Sequence, residues 1–196
     1  MQDAIGYSRS PELMSPADTA LLVVDVQEKL MRLVPGAAQI IWNIRRLLDA
    51  AELFKLRVLA TEQYPQGLGG TVPELVGRLG KIPAKVAFSC AACDATRSAI
   101  EAGVQKVLLV GIEAHVCVQQ TAIDLLSAGY RVYVAIDAVG ARYPLDYETA
   151  LRRMESSGAT LTTTEAVLFE WCGAAGTPEF KQISALVREL PPQTEN

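Results

Sequence analysis

The sequence has little of the positive charge that nucleic-acid-binding and membrane-surface proteins carry. Its 196 residues include 18 Lys and Arg against 22 Asp and Glu, giving a net charge of -4, and no basic run is longer than a pair. Basic patches are the usual footprint of binding to nucleic acids or anionic lipids. No window reaches the ~18 uncharged apolar residues that span a bilayer. The sequence therefore predicts no nucleic-acid and no membrane partner, and favours a small-molecule substrate.

Cysteine and histidine are also scarce. The single histidine is His115, and the four cysteines show no spacing typical of a disulfide framework. Residues 1–16 lack the apolar stretch of a secretory signal. We therefore expect free thiols in a reducing compartment, and a cytoplasmic protein. The cysteines are Cys90, Cys93, Cys117 and Cys172.

Half of the residues are hydrophobic, and their pattern is that of alternating strands and helices. A chain of 196 residues is long enough for one hydrophobic core and short for two. The sequence therefore predicts a single domain at 18–190, with an N-terminal extension at 1–17 and a C-terminal tail at 191–196. An amphipathic pattern at 35–54 is typical of a helix. Strand-length apolar runs buried on both faces and separated by helices favour an α/β fold with a mostly parallel sheet. The runs are Ala20 to Val26, Arg57 to Thr61, Val86 to Phe88, Val107 to Ile112, Arg131 to Ile136 and Thr160 to Thr163.

Glycine residues and a Thr-Pro pair predict where some of the helices begin and end. Gly103, Gly129 and Gly158 each follow a helical stretch and precede a strand, as expected for left-handed helix C-caps. Thr177 followed by Pro178 predicts the start of a late helix. Residues 64–73, with the run PQGLGG, are expected to form an irregular loop at the ligand-binding edge.

Three groups capable of chemistry stand beside three of these runs. Asp25 follows the first five apolar residues of ALLVVDVQ, Lys85 precedes the apolar residues of KIPAKVAFSC, and Cys117 lies where the strand 107–112 gives way to a helical pattern. Because parallel strands bring such groups to one edge, an acid, an amine and a thiol would share one cleft. The unpaired N–H groups of a helix start favour the charged form of a thiol.

Together these groups match the requirements of nucleophilic catalysis without histidine. A thiolate attacks carbonyl carbon, provided that a base removes its proton and a cation stabilises its charge. Asp25 is the candidate base and Lys85 the candidate cation for both the carboxylate and a Cys117 thiolate. N–H groups near Cys117 would stabilise the oxyanion. The sequence therefore predicts a site that combines a thiol nucleophile, a base and an orienting cation.

The same motifs resemble those of a known superfamily. The order VVDVQ, then K-x-x-F-S at Lys85 to Ser89, then GIEAHVCV at Gly111 to Val118, resembles the isochorismatase-like cysteine hydrolases, and the likeness covers about residues 20–169. Within them the chain looks most like the isochorismatase domain-containing proteins of unassigned substrate. The resemblance implies a three-layer αβα fold, a six-stranded parallel sheet wound in the Rossmann manner, and the catalytic triad Asp25, Lys85 and Cys117. With this triad we expect a cysteine hydrolase that acts on a small amide through a covalent thioester-type intermediate, with an ester or an enol ether as the alternative substrates.

The resemblance also implies details of the site. It suggests a cis peptide between Ile112 and Glu113, and an oxyanion hole formed by the backbone N–H groups of Glu113 and Cys117. By position it assigns Gln63, Tyr64 and Phe88 to the substrate pocket. The family commonly forms homo-oligomers, so a homo-oligomer is expected.

The sequence departs from the superfamily's metal-dependent members. Nicotinamidases carry an Asp and His metal cluster after the second strand, where this chain has Glu62, Gln63 and Tyr64. No metal and no cofactor is therefore expected.

Two further interpretations of the sequence remain open. Cys90 and Cys93 form a C-x-x-C pair after a predicted strand, which is the placement of a redox dithiol. The same pair is also compatible with two small apolar residues that only fill space in the packing. The other is a catalytically silent binding scaffold. His115 is two residues from Cys117, and because such residues diverge on a helix, we interpret it as a packing or surface residue.

Overall fold

The protein folds around one six-stranded parallel sheet. The computed structural model describes residues 8–94, 97 and 103–193. The strand order is β3-β2-β1-β4-β5-β6, which confirms the predicted α/β class and the number of strands. The strands are β1 (Thr19–Val24), β2 (Arg57–Gln63), β3 (Ala84–Lys85), β4 (Lys106–Ile112), β5 (Arg131–Gly140) and β6 (Thr160–Thr162).

Helices cover both faces of the sheet, which makes three layers. On one face α2 packs against β5 and α7, and α8 packs against α7. On the other face a π-helix, Ala114–Val118, contacts α5 and α6. The described α-helices are α1 (Glu28–Met31), α2 (Ala37–Phe54), α3 (Pro65–Leu68), α4 (Pro73–Val76), α5 (Gln119–Ser127), α6 (Pro144–Ser156), α7 (Thr164–Cys172) and α8 (Pro178–Val187).

After their first residues, Thr19 and Lys106, the central strands β1 and β4 are apolar because each contributes to two cores. In β1, Leu21 and Val23 belong to the core on the α2 side, whereas Leu22 and Val24 belong to the core on the α5 side. Successive side chains of a strand point to opposite faces, so a strand covered on both sides has no polar stripe. This burial on both sides places the carboxyl end of β1 deep in the molecule.

Gly111 allows β4 to approach β1 closely at that end. Its φ is +113°, and a Cβ built on it would lie 2.1 Å from the carbonyl oxygen of Val24. A side chain there would clash with backbone, which cannot move without shifting a strand. Glycine therefore brings the end of β4 into register beside Asp25, the residue after Val24.

Several predicted boundaries differ from the structure. The strand predicted at Val86 to Phe88 is wrong, since β3 lies just before it and pairs with the end of β2. Val86 is 81% exposed and Phe88 51%, because the chain bends away after a two-residue edge strand. The helical pattern from His115 begins as the π-helix before α5, and the predicted loop at 64–73 contains α3.

Other local predictions are confirmed. Gly129 and Gly158 follow α5 and α6 with φ of +89° and +106°, and the Thr177 hydroxyl accepts a hydrogen bond from the N–H of Phe180. Gly103 has a φ of +82°, but the helical stretch expected before it lies outside the described residues. The placement of a redox dithiol also requires a helix opening at about Asp94, after the C-x-x-C pair, and this stretch falls largely on residues outside the described ranges.

The segment before β1 lies against the sheet. Met14 is fully buried and belongs to the core on the α2 side. The Lys106 ammonium donates to the Leu13 carbonyl at 2.9 Å and to Asp18 at 2.7 Å. Residues 8–17 therefore contribute to the packing of the domain. Among the described residues, no helix is long and apolar enough to cross a membrane.

Candidate active site

Asp25 is a buried carboxylate directly after β1. Its side chain is fully buried, and its backbone has a φ of +50° that turns the chain out of the strand. The Thr61 hydroxyl donates to Asp25 Oδ1 at 2.8 Å, and Lys85 Nζ donates to Oδ2 at 2.7 Å. A buried charge is costly unless it is paired and hydrogen-bonded, and both oxygens meet that condition. The carboxylate is thereby held in one orientation.

Lys85 ends the edge strand β3 and points its ammonium group inward. Besides Asp25, its Nζ donates to Gln63 Oε1 at 2.8 Å and to the Phe88 carbonyl at 2.9 Å. Burial is the largest single influence and lowers the pKa of Lys85, but the charge and hydrogen bond of Asp25, together with the neighbouring Cys90 and Cys117, outweigh it, and the pKa is raised. The side chain is therefore a fixed cation beside Asp25.

Cys117 occupies the π-helix that follows β4 and is 6% exposed. The charged groups that act on its thiol are the Asp25 carboxylate and the Lys85 ammonium. Burial and the charge of Asp25 raise the pKa of Cys117 far above its usual range, although the positive charge of Lys85 opposes them. The expectation of a resting thiolate is therefore wrong. The resting sulfur is a neutral thiol, because the adjacent carboxylate and the loss of solvent outweigh the cation.

The structure thus brings the three predicted groups of Asp25, Lys85 and Cys117 together. The Asp25 carboxylate accepts from the Lys85 ammonium at 2.7 Å and its charge also acts on the Cys117 thiol, so one carboxylate couples a permanent cation to a proton donor. Such an arrangement transfers a proton from sulfur to carboxylate when a substrate draws electrons from the sulfur.

The segment before Cys117 is held by a second ion pair. The Ile112–Glu113 peptide bond is cis. The Glu113 carboxylate accepts from the Arg142 backbone N–H at 3.2 Å and from its Nε at 2.9 Å. Glu113 is 8% exposed, so this pair ties the turn after β4 to the end of β5. Sequence analysis did not identify Arg142, which carries no motif of its own.

The three residues assigned by position to the substrate pocket lie in different places. Gln63 is buried, and its side chain accepts from Lys85 and donates to the Val86 carbonyl at 2.9 Å. Tyr64 is 54% exposed and lines a cleft of about 400 Å³ with Lys85 and Cys93. The ring of Phe88 is half-exposed, and its carbonyl accepts from Lys85. Gln63 therefore supports Lys85.

Gln27 extends this support to the loop after β2. Its Oε1 accepts from the Gln63 N–H at 2.8 Å, and its Nε2 donates to the carbonyls of Gln63 at 3.0 Å and Gly69 at 2.6 Å. Gln27 is fully buried. It stands two residues after Asp25 in the VVDVQ motif, so that motif was the available signal for a residue that the sequence analysis did not assign.

Cys90 lies next to the triad, whereas Cys93 is partly exposed. Cys90 Sγ is 3.3 Å from the Thr61 hydroxyl, and burial raises the pKa of Cys90 to about 11. Both cysteines are free. A redox dithiol requires an accessible thiolate, and the surroundings of Cys90 disfavour one. The geometry therefore does not support the redox interpretation.

His115 is directed toward helix α6. Its Nε2 lies 3.8 Å from Asp146 Oδ2, and that carboxylate is 44% exposed. Throughout the described part of the chain, no three His, Cys, Asp or Glu side chains are grouped so as to hold a metal ion.

Known proteins are similar to this chain in sequence and in fold. Residues 19–166 match the isochorismatase domain. The chain is 41% identical over 182 residues to isochorismatase domain-containing protein 2 of Pongo abelii, covering 91% of this chain and 87% of the relative. The solved structure of the MAR1 ribonuclease from Caenorhabditis elegans is 42% identical, with a TM-score of 0.87 over 92% of this chain and 95% of that one.

The bacterial protein YcaC is a more distant neighbour. YcaC of Escherichia coli, described as an octameric hydrolase of unknown specificity, is 25% identical with a TM-score of 0.82 over 91% of this chain and 92% of that one. YcaC of Pseudomonas aeruginosa, solved with covalent acrylamide, is 26% identical with a TM-score of 0.82 over 91% and 93% of the two chains. The domain match and the identity to its relatives together establish that the chain belongs to the isochorismatase family, whose members are generally cysteine hydrolases.

Proposed function

We propose that the protein is a cysteine hydrolase that cleaves the C–N bond of a small amide. Cys117 is the nucleophile, Asp25 the general base and then acid, and Lys85 the cation that holds the carboxylate. The observation that carries the proposal is the position of Asp25, whose buried carboxylate binds the Lys85 ammonium at 2.7 Å and acts through its charge on the Cys117 thiol.

The neutral thiol determines how the first step proceeds. Because the pKa of Cys117 is raised, the proton moves to Asp25 as sulfur attacks the carbonyl carbon. The C–S bond forms while the C=O π electrons move to oxygen. The backbone N–H groups of Glu113 and Cys117 are the proposed donors to that oxyanion. Lys85 keeps the site neutral when the negative charge leaves Asp25 for the substrate oxygen.

Collapse of the intermediate returns the proton. The oxyanion re-forms the carbonyl, the C–N bond breaks, and Asp25 protonates the departing nitrogen, leaving a thioester on Cys117. Water then gives a proton to Asp25 and attacks the thioester. The C–S bond breaks, a carboxylic acid is released, and the sulfur recovers its proton from Asp25. Each half uses the same carboxylate once as base and once as acid.

A small substrate fits this site better than RNA does. Cys117 is only 6% exposed, so its sulfur is accessible to a narrow reacting group and not to a folded polymer. The net charge of -4 also opposes a polyanion. Although structural neighbours are called ribonucleases, we propose that RNA is not cleaved. Incubation with single-stranded RNA, analysed for fragments, tests this point, and cleavage that is lost in Cys117→Ala would overturn it.

Two broader properties accompany the proposal. The octameric neighbour supports a homo-oligomer, which light scattering of the purified protein would detect. A thiol nucleophile must stay reduced, and the cysteines are free, so a reducing, cytoplasmic location suits this chemistry.

A screen of small amides for ammonia release tests the function. Active compounds are then mixed with enzyme and quenched in acid, and the Cys117 peptide is examined by mass spectrometry for the acyl group. We expect Cys117→Ala to abolish release and Cys172→Ala, a change on α7, to leave it intact. Turnover that survives in Cys117→Ala would refute the assignment. Failure of every amide, with no acylation of Cys117, would favour a silent binding scaffold.

A further inference from the structure

Cys90 is the buried thiol that the proposed mechanism does not use. It is 0% exposed, and it lies between two threonines that are equally buried, Thr61 at 1% and Thr121 at 0%. Thr61 belongs to β2, Cys90 to a short 3-10 turn (Cys90–Ala92), and Thr121 to α5. Three separate segments therefore meet at this cysteine, next to the catalytic groups.

On one side, Cys90 contacts the residue that orients Asp25. Thr61 has a single hydroxyl proton, which it donates to Asp25 Oδ1 at 2.8 Å. Its oxygen is therefore left to accept the proton of Cys90, whose Sγ lies 3.3 Å away. Burial raises the pKa of Cys90 to about 11, which keeps that proton on the sulfur at neutral pH.

On the other side, Cys90 contacts the residue that anchors the nucleophile. The Cys90 N–H donates to Thr121 Oγ1 at 2.9 Å, and Thr121 Oγ1 donates to the Cys117 carbonyl at 2.6 Å. The π-helix that carries Cys117 is therefore held through the same residue.

We propose that Cys90 is a positioning residue whose thiol fixes the Asp25 carboxylate through Thr61, while its backbone N–H holds the backbone of Cys117 through Thr121. Substitution of the Cys90 side chain therefore removes the first link and keeps the second. The inference rests on the proposed function of Asp25 and Cys117. A hydrogen-bonded chain of this kind sets the distance and angle between base and nucleophile without touching substrate. It also spreads the charge of Asp25 over Thr61, which limits how strongly that charge opposes ionisation of the Cys117 thiol.

The test measures alkylation of Cys117 by iodoacetamide between about pH 6 and 10, resolved by peptide mapping so that Cys93 does not interfere. Removing the hydroxyl in Thr61→Val concentrates charge on Asp25, so the profile moves to higher pH and the rate at neutral pH falls about tenfold. Cys90→Ala moves the profile in the same direction by about threefold in rate. Cys90→Ser, which keeps a donor, restores the rate to within about twofold of wild type.

Cys172→Ala is the control because it also removes one cysteine, here a partly buried one that packs against the core on the α2 side, and it leaves the profile unchanged. A merely structural role has the opposite signature, since a loosened site exposes Cys117 and speeds alkylation at every pH. Thermal unfolding of each variant shows that it is folded, and Thr61→Ser replaces Thr61→Val if the latter does not fold, with a rate within about twofold of wild type. Profiles of Cys90→Ala and Cys172→Ala that superimpose, or a loss in Cys90→Ala that Cys90→Ser does not reverse, overturn the inference.

Lys85→Met separates this inference from the proposed function. Loss of the cation raises the pH needed to alkylate Cys117 if the triad is correct. A shift in Lys85→Met without one in Cys90→Ala refutes only the positioning role of Cys90. No shift in either variant refutes the proposed function and the inference together.

Discussion

At the scale of single residues, Asp25 has opposite effects on the acidity of Cys117 and on catalysis. After burial, its negative charge is the main cause that raises the pKa of the thiol. Asp25→Asn removes that charge and leaves Lys85 beside the sulfur. We expect iodoacetamide to alkylate Cys117 in this variant about tenfold faster at neutral pH, while amide turnover is lost for lack of a base. Peptide mapping and ammonia release measure the two effects, and slower alkylation would contradict the assigned electrostatics.

Gln63 offers a second test, of how Lys85 is held. Its Oε1 is one of the oxygens that surround the ammonium, at 2.8 Å. Gln63→Leu keeps the size but removes this acceptor, at a cost of about 1 to 3 kcal/mol. We expect a lower unfolding midpoint in denaturant and slower turnover.

Gln182→Leu, on the exposed side of α8, is the matched control for Gln63→Leu and should change neither measurement. If Gln63→Leu lowers neither stability nor turnover, Gln63 does not support Lys85.

The residues of the candidate site differ in how far they could be predicted from the sequence. Asp25, Lys85 and Cys117 could be identified because each is a reactive side chain directly beside an apolar run. Thr61 looked like an ordinary strand residue, since its role depends on lying beside Asp25 across the β1 and β2 register. The charge state of Cys117 was not predictable either, because it depends on burial and on the distance to Asp25.

At the scale of elements, the central strands were predictable and the edge was not. Strands β1 and β4 are buried on both faces and read as continuous apolar runs. Strand β3 has two residues, and its neighbours are polar or exposed, so no periodicity marks it. Its pairing of Lys85 with Gln63 comes from the sheet edge formed by β2. The short strand nevertheless delivers the cation of the triad.

The approach of β4 to β1 is tested by Gly111→Ala. The new Cβ would lie 2.1 Å from the Val24 carbonyl oxygen at a φ of +113°, so the strands must separate. We expect a loss of at least ~3 kcal/mol in the free energy of unfolding, and loss of turnover because Asp25 follows Val24.

Gly77→Ala is the control for Gly111→Ala, since a Cβ there meets nothing within 4 Å. Its free energy of unfolding should change by less than ~1 kcal/mol. Equal denaturant midpoints for the two variants would show that the close approach is not required.

At the scale of the whole molecule, the sheet has one hydrophobic core on each face, and the candidate site lies at the carboxyl ends of its strands. The two cores stabilise the fold. The site adds charged groups and thiols that the folded chain shields from water. Buried ionisable groups link the stability of the whole chain to pH, because unfolding returns each group to its ordinary pKa. The two buried thiols make this linkage measurable.

The stability of the protein should fall on the alkaline side. Burial raises the pKa of Cys90 to about 11, against ~8.5 in an unfolded chain, so above that lower value the folded state binds more protons than the unfolded state. The free energy of unfolding therefore falls by up to ~1.4 kcal/mol per pH unit from this thiol, between about pH 8.5 and 11. Cys117, whose pKa is raised as well, adds to the slope. Denaturant titrations at several pH values should show a shallower alkaline fall in Cys90→Ala than in Cys172→Ala, and equal slopes would mean that Cys90 titrates normally in the folded protein.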